Sequence, residues 1–122
     1  LWTDQAHKDR LAISSGLLSV RTACYGPLKG ELVLLDKQDH VIDLSEYDHV
    51  VEGSIHCESG TLEIIACMSN EPDVSLDVPP DIYRVRIYSS GLNSVVGDEG
   101  DDFYRLEIWK DSFSERRILK SL

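Results

Sequence analysis

Val74-Ser75-Leu76-Asp77-Val78-Pro79-Pro80 runs into Asp81-Ile82-Tyr83-Arg84-Val85-Arg86-Ile87-Tyr88, and its rhythm decides the fold class. Val74, Leu76 and Val78 alternate with Ser75 and Asp77 until two prolines stop the run. Tyr83, Val85 and Ile87 then alternate with Arg84, Arg86 and Tyr88. Successive side chains of a strand point to opposite faces, so a period of two broken by Pro-Pro reads as two strands. The same rhythm continues outward. Upstream, Leu18, Val20 and Thr22 alternate with Leu17, Ser19 and Arg21 before Gly26-Pro27, and Glu31 to Leu35 is mostly apolar. Asp36 to Asp39 forms a polar turn into Val41-Ile42. Val51, Gly53, Ile55 and Cys57 share a face, and Ser59-Gly60 reads as a tight hairpin into Leu62, Ile64 and Ala66. Downstream, Tyr104, Leu106 and Ile108 alternate with Arg105, Glu107 and Trp109, and Ile118-Leu119 adds a short last strand.

About seven or eight short strands with hairpin turns predict an all-β fold, an antiparallel β-sandwich, with an open barrel as the alternative. Helix is expected only over Asp4 to Leu11, one or two turns with Trp2 as a packing anchor. Leu62, Ile64, Val85, Ile87, Leu106 and Ile108 are the expected core. The 122 residues fit one domain, 1–122, with one core. The longest break, Ser89 to Asp102, carries Gly91, Asn93, Gly97 and Gly100 and reads as a surface loop.

Charge narrows the function classes. Twenty-two Asp and Glu against twelve Lys and Arg give a net charge of −10. A surface of that sign repels nucleic acid and anionic membranes and attracts a basic protein. The acids are also segregated: residues 36–81 hold twelve of them and one base, Lys37, while residues 103–122 hold five bases and three acids. Two readings stand, a steering field for a basic partner or acids covering the outer faces of strands. Three cysteines, Cys24, Cys57 and Cys67, without CxxC spacing, point to unlinked thiols in a reducing compartment. The opening Leu1-Trp2-Thr3-Asp4 lacks the pattern of a signal peptide, and no apolar run is long enough for a membrane span, so a cytoplasmic protein is expected.

The sequence has no GxSxG elbow, P-loop, dinucleotide GxGxxG or HExxH, so no catalytic residues are assigned and a non-enzyme is expected. His56 and Cys57 are adjacent, but strand neighbours face opposite ways, so a core Cys and a rim His are expected rather than a catalytic pair. A zinc site from His40, His49, His56 and Cys57 matches no finger spacing, and neither metal nor cofactor is expected. Gly97-Asp98-Glu99-Gly100-Asp101-Asp102 offers oxygens for a hard cation but lacks the EF-hand order. Its acids, Asp98, Glu99, Asp101 and Asp102, are instead the candidate partner-binding residues, weighed against a solvated turn. Tyr83, Tyr88, Tyr104 and Trp109 are core residues where they point inward and interface anchors where they point outward.

Trp2-Thr3-Asp4 with Ala6, Gly16-Leu17-Leu18-Ser19-Val20, the Val74 to Pro79 run into Tyr83-Arg84-Val85, and Asp102-Phe103-Tyr104 together resemble the bacterial competence protein J family. The resemblance covers most of the chain in order, rests on packing and turn residues, and departs over Tyr47 to Glu58 and Ser89 to Asp102. It implies a protein that inhibits a DNA-entry nuclease by direct binding, with the acidic surface imitating phosphate charge in the nuclease's groove. No partner-contact motif of the family maps onto this chain. The alternative is a structural or small-ligand β module whose acidity only keeps it in solution.

Overall fold

The computed structural model describes residues 3–14, 16–21, 29–37, 44–66, 74–94 and 100–121. Thr3 opens the α-helix of the described residues, α1 (Asp4–Asp9): its hydroxyl accepts from the Ala6 amide at 3.0 Å, and Asp4 sits in the first turn where the helix dipole favours a carboxylate. The helix stops at Arg10, whose φ of 63° is left-handed, so Leu11 leaves the helical path. That is two residues short of the expected end, and Leu11 is fully buried in a strand instead. Trp2 lies outside the described residues.

Nine strands follow among the described residues: β1 (Leu11–Ser14), β2 (Leu17–Val20), β3 (Gly30–Leu35), β4 (His49–Cys57), β5 (Thr61–Ala66), β6 (Val74–Asp77), β7 (Asp81–Ser90), β8 (Phe103–Lys110) and β9 (Arg117–Lys120). They form two sheets, ordered β1-β2-β5-β6 and β3-β8-β7-β4-β9. The chain is mostly β, as expected, but the sheets are mixed and not purely antiparallel. β2 runs parallel to β5, and β3 runs parallel to β8, with Gly30 opposite Tyr104 and Leu35 opposite Trp109. β1 is an added strand; four residues are too short for its alternation to show. Val41-Ile42 lies outside the described residues.

Ser59-Gly60 is not a hairpin. β4 pairs with β7 and β9, whereas β5 pairs with β2 and β6, so this turn carries the chain from one sheet to the other. Gly60 takes φ 81°, and the Gly60 carbonyl accepts from the Val78 amide at 2.9 Å. A glycine between two alternating runs marks a turn either way; which strands then pair depends on contacts far apart in sequence.

Between the sheets, Leu11, Leu18, Val20, Leu62 and Ile64 meet Val51, Ile55, Cys57, Val85, Ile87, Leu106 and Ile108. All six expected core residues are at most 3% exposed. Cys57 is a free, fully buried thiol, and His56 next to it lies exposed on the other face, as their alternation requires. Cys24 and Cys67 lie outside the described residues.

His49, at the start of β4, is buried and its Nε2 donates to the Asp9 carbonyl at 2.8 Å, joining α1 to the larger sheet. Burial lowers its pKa, with Arg10 adding to the effect and the Asp9 hydrogen bond opposing it. The unfolded chain therefore takes up a proton near pH 6.5 that the folded chain refuses until lower pH. Stability is full above that value and declines as pH falls below it. Urea unfolding is expected to show a lower midpoint at about pH 5.5 than at about pH 7.5, and His49→Gln to lose that part of the difference. An unchanged difference in the variant would assign the decline to carboxylates.

Candidate functional site

The outer face of the larger sheet is where the fold departs most from its sequence pattern. Arg84 and Arg86 on β7 alternate with core residues, which suggests solvent, yet they are 3% and 1% exposed. Glu52 on β4 and Glu107 on β8 lie beside them, also buried. Glu52 accepts from Arg84 Nε and from Arg86 Nε, each at 2.9 Å, one on each carboxylate oxygen. Arg86 Nη1 reaches Glu107 Oε1 at 3.2 Å, and the Tyr88 hydroxyl donates to the same oxygen at 2.9 Å. Arg105 continues the ladder, bonding Glu107 at 3.1 Å and Glu31 of β3 at 2.8 Å. The two carboxylates and two guanidiniums that are buried, Glu52, Glu107, Arg84 and Arg86, cancel, which is the condition for keeping charge out of water, and Arg105 with Glu31 ends the ladder at the surface. Burial disfavours the charge on Arg86, but hydrogen bonds with Tyr88 and Glu52 outweigh it and hold its pKa above the ordinary value. The guanidinium also lies 4.9 Å from the centre of the Trp109 ring.

Arg84 uses its remaining donors outside this ladder. Its Nη1 donates to the Ser114 carbonyl at 2.7 Å and its Nη2 to the Glu115 carbonyl at 2.9 Å. Both carbonyls belong to the irregular segment 111–116 between β8 and β9. Ser54 Oγ clasps the same segment, donating to the Ser114 carbonyl and accepting from the Ser114 amide, both at 3.0 Å. Asp111 holds one end through Trp109 Nε1 (3.1 Å), and Arg116 holds the other through Asp9 (3.2 Å) and the Leu11 carbonyl (2.8 Å). Phe113 to Arg116 of this segment form one wall of a groove of about 550 Å³ lined also by Ile13, Gly53, Ser54, His56 and Glu58.

The expected acidic site divides. Asp98 and Glu99 lie outside the described residues. Asp101 is exposed at the base of its loop, where its amide donates to Ser94 Oγ at 2.8 Å. Asp102 is turned inward and is 2% exposed. The Tyr104 hydroxyl donates to its Oδ2 at 2.9 Å, and Lys29 Nζ stands 3.8 Å from its Oδ1 while also donating to the Gly100 carbonyl. Asp102 therefore anchors the loop and does not add to its exposed charge; it shares the inward phase of Tyr104 two residues on. Gly91 closes the other side with φ 66°, and a Cβ there would stand 2.3 Å from the Asp101 carbonyl oxygen. Asp48 adds a tie by accepting from the Leu92 amide at 2.9 Å.

Tyr83, Tyr88, Tyr104 and Trp109 are all buried, so none is an exposed anchor. Phe113 is the most exposed large apolar side chain among the described residues, at 64%. Ser112-Phe113-Ser114 shows no alternation, so the sequence gives no strand phase from which to read that exposure. His49 and His56 sit on opposite faces of β4, and among the described residues no three His, Cys, Asp or Glu side chains are grouped to hold a metal ion. No helix among them is long and apolar enough to cross a membrane.

No protein-family model matches the chain, and no curated protein matches it. Among solved structures it is similar to ComJ of Bacillus subtilis, the inhibitor of the DNA degrading activity of NucA. The TM-score is 0.52 at 17% identity, over 91% of this chain and 77% of that one. The likeness is distant and is one of fold, in line with the resemblance that the quoted motifs carry.

Proposed function

We propose that this chain is an inhibitor or immunity-type binding protein whose target is a nuclease or another basic enzyme, and that it acts by occupying its partner without catalysing a reaction. The observation that carries this reading is the fold shared with ComJ, an inhibitor of a DNA degrading enzyme. The net charge of −10 supports it, because a nuclease's substrate groove is basic and receives a polyanion. The exposed Asp101, with its loop neighbours Asp98 and Glu99, is the proposed steering charge. The proposed location is the cytoplasm, on the sequence reading of three cysteines without CxxC spacing.

The test is a binding and DNA-degradation assay against any nuclease encoded beside this gene and against a panel of other bacterial DNA-degrading nucleases. Tight binding with loss of DNA degradation is expected, with an association rate that falls as ionic strength rises past about 0.15 M, where the Debye length is near 8 Å. Changing Asp98, Glu99 and Asp101 together to Lys should slow association at least about tenfold at low salt, with circular dichroism checking that the fold is kept. Asp102 is left unchanged because it is buried. Absence of binding by the wild type would remove the inhibitor reading; equal association by the variant would leave the loop a solvated turn.

A further inference from the structure

An exposed phenylalanine on an irregular segment is ordinarily mobile, and ordering it costs free energy when a partner binds. Here the ordering is already built in. The backbone on either side of Phe113 is held by the Asp111 side chain, which accepts from the Ser112 amide at 2.8 Å, and by the Ser54 clasp on Ser114. Beneath it, a buried arginine bound to a buried glutamate commits two donors to the Ser114 and Glu115 carbonyls. The Asp111 amide adds a bond to the Ile82 carbonyl at 3.2 Å. The result is a fixed wall that leaves the aromatic ring 64% exposed.

The groove behind this wall has a second property. β9 pairs with β4 only over Val50–Glu52, and a register shift interrupts even that pairing. Further along, the His56 carbonyl accepts from the Gly16 amide at 3.0 Å. Between those points, Gly53–Ile55 has no strand partner on that side among the described residues. Gly53 makes room for the Ile13 side chain, whose Cδ1 would stand 2.8 Å from a Cβ there. Gly53 and Ile55 are themselves buried, and half-buried Ser54 between them faces the groove. The lining charges set the partner's sign. Glu58 and Glu115 are exposed carboxylates, whereas Arg116 is paired with Asp9 and is only 29% exposed.

We infer that this groove takes an extended segment of the partner in which basic residues alternate with apolar ones. An apolar side chain packs on Phe113, and cations lie near Glu58 and Glu115. This rests on the basic-partner reading above and names a contact surface for it separate from the acidic loop.

The test uses the full chain labelled with nitrogen-15 and, as probe, a hexapeptide alternating lysine and valine, with a glutamate–valine hexapeptide as control. Amide shifts at Ser54, Ile55 and Ser112 to Arg116 are expected with the lysine peptide only. Phe113→Ala should weaken peptide binding about tenfold or more, and Glu58→Gln with Glu115→Gln should weaken it and remove most of its salt dependence. Both sites are exposed, so the variants should keep the wild-type spectrum elsewhere. No shifts with the lysine peptide, shifts confined to other residues, equal binding of the two peptides, or binding unaffected by Phe113→Ala would each overturn the inference. Shifts at these amides that grow with protein concentration, without peptide, would assign the groove to a second copy of the chain and overturn it too. Because the probe is a peptide, the groove can fail while the nuclease assay succeeds, and the reverse.

Discussion

Glu52→Ala is expected to destabilise the protein by about 3–5 kcal/mol, because it strands two buried guanidiniums that share one carboxylate. Both carboxylate oxygens are occupied at 2.9 Å, and the side chains of Glu52, Arg84 and Arg86 are 4%, 4% and 1% exposed, so water cannot replace the lost partner without opening the sheet. Urea unfolding followed by circular dichroism measures the cost. Glu52→Gln should be less damaging, since it keeps one acceptor oxygen for one of the two arginines. The loss should reach segment 111–116 as well, because Arg84 holds both the Glu52 carboxylate and the Ser114 and Glu115 carbonyls. A cost below about 1 kcal/mol, the range of exposed ion pairs, would mean that the ladder is solvated and that this account of the outer face is wrong.

Leu106→Ala is the second large effect. Leu106 sits in β8, 3% exposed, opposite Ile87 of β7 and Leu32 of β3, inside the cluster between the two sheets. Removing its buried atoms should cost about 2–5 kcal/mol, the spread depending on how far the neighbours collapse into the space. Thermal or urea unfolding decides it, and a cost near zero would place Leu106 at the surface. Leu106→Met, which nearly conserves volume, should cost less than about 1.5 kcal/mol. That ordering separates a packing role from any effect on strand propensity.

Local chemistry was readable wherever it depends on phase alone. Tyr83, Val85 and Ile87, and Tyr104, Leu106 and Ile108, occupy the core face that their alternation implies, and the Cys57/His56 pair divides between core and rim. Arg84, Arg86 and Glu107 follow the same alternation and were misleading, because phase tells which face a side chain takes and not whether that face meets water. A sequence clue to their burial existed: Arg84 and Arg86 on one strand and Glu107 on the next are in matching phase with opposite signs, the composition of a cross-strand ion pair. Asp102 reads by position as a loop charge, although it keeps the phase of Tyr104.

The chain's composition and two-residue period by themselves determined a mostly β protein, the identity of its core residues and the sign of its surface charge. These follow from the pleat of a strand and from counting charges, both properties of residues taken one at a time or with near neighbours. Only the tertiary structure decided that β2 and β3 find parallel partners, that Ser59-Gly60 crosses between sheets, and that Arg84 lies buried while Phe113 lies in the open. Each of those depends on residues tens of positions apart meeting in space. Ser54 meets Ser114, Glu52 meets Arg84, and Lys29 meets Asp102. Such pairings are selected by the free energy of the whole assembled core and its cancelled charges, which no short window of sequence contains.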